Sequence, residues 1–201
     1  MKRSNIVNLV LCGLFTALIA AGAFMKIPIP AVPFTLQFLF TMLAGLLLGS
    51  RLGALSVLVY MLLGLIGLPI FAQGGGPGYI FVPSFGYIPG FIVGTFVTGL
   101  IVEKQKELKF SKILFANFVG LMIVYAIGML YYYLIGNYVV DSPIGLWPLF
   151  LYCFLLAVPG DIVLCFLGAF LAKQLIPIKR RMVEPSGLQR GKCGEMESGN
   201  K

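Results

Sequence analysis

The sequence predicts an all-α membrane protein of six transmembrane helices with both termini in the cytoplasm. Three observations carry this. Hydrophobic residues make up 59% of the 201 and charged residues only 11%, whereas a soluble domain carries about 25% charged residues. The mean hydropathy is +0.98, and a span needs about 20 mainly apolar residues, so the chain has room for six. The third observation is the placement of the +8 net charge. On a six-span layout, Lys2, Arg3, Arg51, Lys104, Lys106, Lys109, Lys112 and the basic residues from Lys173 onward all fall on one side, which leaves Lys26 alone on the other. That asymmetry is the positive-inside pattern, so the basic tail needs no nucleic-acid partner.

The first span runs from about Ile6 to Met25, too long for a removed signal peptide and without a convincing cleavage site. Along it Gly13, Ala17 and Ala21 recur every fourth residue, a small-residue stripe that lets another helix approach closely, either within this chain or from a partner. Next come Lys26 to Pro33, where Pro28, Pro30 and Pro33 hold the backbone extended in an external loop. Span two (about Phe34 to Leu48) and span three (about Leu52 to Phe71) form an antiparallel hairpin through Gly49, Ser50 and Arg51.

A Gly- and Pro-rich segment follows, Gln73 to Tyr79 and then Pro83 to Phe91. Glycine permits positive φ and proline keeps the chain out of helix. Non-helical backbone at a membrane boundary lines a wet cavity or is buried in protein, and the interleaved Phe71, Tyr79, Phe81, Phe85 and Tyr87 would give such a cavity flat walls and hydroxyl tips. A flexible outer loop with interfacial tyrosines is the alternative. Span four ends near Val102, span five covers about Ile113 to Ile135, and span six about Trp147 to Ile176. Tyr131, Tyr132, Tyr133 and Trp147 read as interfacial anchors. The membrane domain is thus 1–176, and 177–201 is expected to be a polar, disordered cytoplasmic tail.

Function points to Asp161, the one charge between Leu149 and Leu171. An intramembrane carboxylate costs about 3 kcal/mol on insertion scales and usually faces a cavity or ligand. Pro159-Gly160 just before it should kink span six and open room beside it, or Asp161 could act as the N-cap of the restarting helix. An ionised carboxylate only accepts hydrogen bonds, so its natural ligand is rich in N–H donors. The chain has no histidine, which removes the commonest general base and metal ligand, and the four cysteines show no CxxC spacing. No catalytic pair, metal or cofactor is expected. No ATP-binding motif is present, so transport would need an outside energy source. A passive channel or scaffold subunit would need a continuous polar pore lining, which spans one to five lack.

Three stretches carry a resemblance: Pro28 to Gln37 (PIPAVPFTLQ), Gly74 to Phe91 (GGGPGYIFVPSFGYIPGF) and Pro159-Gly160-Asp161. In this order they resemble the BioY family, the biotin-binding S components of energy-coupling factor (ECF) transporters, over about Met1 to Ile176. The resemblance implies an S-component-like bundle that captures biotin from outside a bacterial-type cell membrane, working with a transmembrane T component and two ABC-type ATPases. It implies that Asp161 takes the N–H groups of the biotin ureido ring, with Gln37, Gln73, Tyr79 and Tyr87 as neighbours, and that Gly13, Ala17 and Ala21 meet the T component. One position departs: the family typically has a lysine three residues after the aspartate, and here stands Leu164. Either the ligand supplies more of the neutralisation, or Asp161 is protonated when empty, or the substrate is a related acid such as lipoate or dethiobiotin.

Overall fold

The computed structural model describes residues 3–27, 33–105, 109–140 and 143–183. Five helices and one interrupted helix take the places of the six expected spans. They are α1 (Arg3–Phe24), α2 (Gln37–Leu48), α3 (Ser50–Ile66), α4 (Tyr87–Glu103), α5 (Phe110–Tyr138), and the pair α6 (Leu146–Phe150) and α7 (Val158–Val183), joined through a π turn at Leu151–Leu155. Among the described residues, four helical stretches are long and apolar enough to cross a bilayer, namely Ile6–Phe24, Pro83–Glu103, Phe110–Tyr138 and Leu146–Pro177.

The other two helices are shorter. With 12 residues, α2 rises only about 18 Å, against a hydrocarbon core of about 30 Å. It is the central helix, packed by α1, α3, α4 and α7, and every residue except Phe40 is buried. That explains its composition: a helix apolar on all sides belongs inside a bundle. Its inner end turns on Gly49 alone (φ 92°), and α3 begins at Ser50, two residues earlier than expected. Helix α3 stops at Gly67 (φ 122°) rather than running to Phe71, because a positive-φ glycine followed by Pro69 closes a helix. Helices α4 and α5 approach closely at Gly94, where an added Cβ would lie 3.0 Å from the Gly120 carbonyl oxygen.

Two further differences concern the ends of the expected spans. The first loop is a two-residue antiparallel ribbon, Lys26 opposite Thr35 and Ile27 opposite Phe34; Pro28 and Pro30 lie outside the described residues. At the other end, α7 passes through Pro177 to Val183, seven residues beyond the boundary expected at 176. The remaining tail, 184–201, lies outside the described residues.

Candidate functional site

A cavity opens between the ribbon, the Gly-rich segment, helices α2, α3, α4, α5 and α7, and the π turn. Its water-accessible volume is about 70 Å³. Its polar lining groups are Thr35, Gln37, Tyr60, Tyr79, Ser84, Tyr87, Tyr125 and Asp161, set among apolar walls from Phe34, Phe38, Phe91, Leu121 and Val124.

Asp161 is buried, with 8% of its surface exposed. The Tyr125 hydroxyl of α5 donates to its Oδ2 at 2.5 Å, and among the described residues no donor meets Oδ1. The local backbone differs from the expected Pro-Gly kink. The break lies earlier, in the π turn and the two turn residues after it, and Pro159 stands in the first turn of α7, where a missing N–H costs nothing. Asp161 is likewise not an N-cap: it sits one turn inside the helix, and its N–H donates to the Ala157 carbonyl at 3.2 Å. The partial positive charge of the helix start still favours a carboxylate there. Gly160 has a specific task, because a Cβ at that position would lie 2.6 Å from the Phe34 ring. Glycine therefore lets the ribbon close against α7 beside the aspartate.

The structure brings Gln37, Tyr79, Tyr87 and Asp161 to this one cavity. Gln37, at the start of α2, donates from Nε2 to the Tyr60 hydroxyl at 2.8 Å, and Tyr60 donates to the Ile70 carbonyl at 3.0 Å. Tyr87 packs edge-on against Tyr125 at 6.1 Å and reaches the Cys153 carbonyl in the π turn at 3.4 Å. Tyr79 lies against Phe71 at 4.6 Å, and burial pushes its phenol above the ordinary value. Gln73 is exposed and absent from the lining.

The Gly-rich segment is folded rather than loose. Gly74 and Gly76 take positive φ, Gly76 donates to the Gly64 carbonyl at 2.7 Å, and two 3-10 turns follow at Pro77–Phe81 and Pro83–Gly86. Phe71 and Phe85 are packed behind the wall, while Phe81 is exposed. Tyr131 is more than an interfacial anchor, because its hydroxyl donates to the Ile80 carbonyl at 2.5 Å and so pins this segment to α5.

Sequence reasoning missed Tyr125. The available signal was the spacing of Asn117, Leu121, Tyr125 and Gly128, which places the polar Asn117 and Tyr125 together on the buried face of α5. Leu164, at the position where the resemblance leads one to expect lysine, is buried in the core and does not line the cavity. Asp161 accordingly has a tyrosine hydroxyl beside it and no ion-pair partner among the described residues. On α1, Gly13, Ala17 and Ala21 are all exposed and nothing lies within 4 Å of a Cβ built at Gly13. The helix packs inward instead through Cys12, Phe15, Thr16, Ile19 and Ala23.

Comparison with known proteins adds the family. The sequence pattern of the BioY family matches residues 1–181. A protein of Lysinibacillus sphaericus named probable biotin transporter BioY is 40% identical over 180 residues, covering 90% of this chain and 92% of its own length. The biotin transporter BioY of Rhodobacter capsulatus is 40% identical over 178 residues, covering 84% and 92%. Among solved structures, the S-component for biotin from an ECF-type ABC transporter superposes with a TM-score of 0.74 at 26% identity, covering 87% of this chain and 93% of that one. With a buried aspartate facing a cavity in a six-helix membrane bundle, and with a family match over nine-tenths of its length, this chain belongs to the BioY family.

Proposed function

We propose that this chain is the substrate-capture component of a biotin uptake system, binding the vitamin from outside the cell membrane at high affinity. The carrying observation is the pair formed by Asp161 and Tyr125. A buried acceptor-only group with an open oxygen, and with no cation beside it, suits a neutral head that donates N–H bonds, and the ureido ring of biotin is such a head. Gln37, Tyr79 and Tyr87 supply polar contacts around it, and the aromatic walls suit its fused rings. The names of its relatives and its likeness to a biotin S-component support the same reading. It is not an enzyme, since the BioY family is a transporter family.

The same chemistry separates the related acids. Dethiobiotin keeps the ureido N–H groups, whereas the dithiolane of lipoate offers Asp161 no donor, and a buried acceptor left unpaired costs about 1–3 kcal/mol. Purified protein in detergent should bind radiolabelled biotin, with dethiobiotin competing and lipoate failing to compete. No binding at micromolar biotin would overturn the assignment.

Energy for uptake would come from a T component and two ABC-type ATPases. The exposed Gly13, Ala17 and Ala21 stripe supports docking of that module on α1. Ala17→Leu should leave biotin binding within about twofold and abolish uptake in cells; normal uptake would remove the stripe from the interface.

A further inference from the structure

The ribbon places one charge where no other described residue offers one. Arg51 lies at the α2–α3 turn, Lys104, Lys109 and Lys112 at the α4–α5 connection, and Lys173 well down α7, all at the end of the bundle away from the cavity mouth. Lys26 is at the mouth. It stands opposite Thr35 in the ribbon, and its Nζ donates to the Ala72 carbonyl at 2.5 Å; Thr35 and Ala72 both line the cavity. Lys26 is exposed and has no acidic partner among the described residues. An ammonium carries three donors, so one bond to Ala72 leaves two for something else.

The site therefore has an acceptor-only group within and a cation at its rim, and no ion pair joins them. We propose that Lys26 is a specificity-determining residue that takes the carboxylate of the ligand at the cavity mouth while Asp161 takes the N–H groups of its head. This deepens the biotin reading and rests on it. The arrangement selects for an elongated ligand that is a neutral donor at one end and an anion at the other. It also gives the clasp between ribbon and Gly-rich segment a second use, because the side chain that ties Lys26 to Ala72 is the one that would register an anion at the rim.

The alternative is that Lys26 only fastens the two segments together, and a ligand without the charge separates the two roles. Biotin and biotinamide differ at the carboxylate alone. Their dissociation constants should be measured for the wild type, for Lys26→Gln, which keeps a donor for Ala72 but no charge, and for Lys26→Arg. The wild type should favour biotin about fivefold, in line with a partly exposed ion pair, and the preference should shrink at high salt. It should vanish in Lys26→Gln and return in Lys26→Arg. Equal weakening of both ligands in Lys26→Gln would reduce Lys26 to a fastener and overturn the proposal, as would a preference that survives the substitution. Failure of the wild type to bind either ligand would bring down the biotin reading itself.

Discussion

Two carboxylates stand among the described residues, Glu103 at the end of α4 beside the start of α3 and Asp161 near the start of α7, and their surroundings are opposite. At the inner turn, Glu103 of α4 accepts the Ser50 backbone N–H on one oxygen and the Ser50 hydroxyl on the other, both at 2.8 Å. It caps α3 from a neighbouring helix, and both oxygens are used. At the cavity, Asp161 of α7 accepts one tyrosine hydroxyl and keeps an oxygen open. The first satisfies a helix end that would otherwise leave orphan donors. The second sets a costly buried acceptor on the wall of a cavity, a cost that folding alone does not offset. A membrane protein that keeps such a group gains from what binds to it.

The contrast can be broken from either side. Asp161→Asn should weaken biotin binding about a hundredfold, the scale of hydrogen bonds to a charged group, with little loss of thermal stability in the empty protein. Tyr125→Phe should cost less, about tenfold, because it unlocks the aspartate without removing it; an affinity equal to wild type would show that the hydroxyl does not position Asp161. Glu103→Gln should reverse the pattern. It weakens a helix cap, so melting should fall by a few degrees, equivalent to about 1 kcal/mol, while biotin affinity stays within about twofold. A large loss of binding in that variant would mean that the inner turn is coupled to the site and that the two carboxylates are not independent.

How much of this could be read from the chain differs by element. The long apolar runs gave away α1, α4, α5 and the last helix, because lipid imposes length and composition together. Helix α2 was legible as apolar but not as central, since burial by protein and burial by lipid leave the same residue types. Asp161 stood out because a charge is expensive at that depth, and Tyr79, Tyr87 and Gln37 followed from the motifs around them. Tyr125 did not stand out, because one tyrosine in an apolar helix reads equally well as a lipid-facing or inward residue until its neighbours on α5 are placed. The helix break was misplaced for a related reason. Pro159-Gly160 looks disruptive in a sequence, yet at a helix start proline disturbs nothing, and the real interruption at Leu151–Leu155 contains neither proline nor glycine. Gln73 shows the converse: it sits in the right segment, but it is exposed and does not line the site.

The central claim is that Asp161 reads N–H donors on the ligand, and the most direct test pairs a change in the residue with a change in the ligand. Biotin and a biotin methylated on a ureido nitrogen should be titrated against the wild type and Asp161→Asn. The account predicts that methylation costs about a hundredfold on the wild type and far less on the variant, because the interaction it removes is already gone. An equal loss on both proteins would place the ureido nitrogen away from Asp161 and contradict the account.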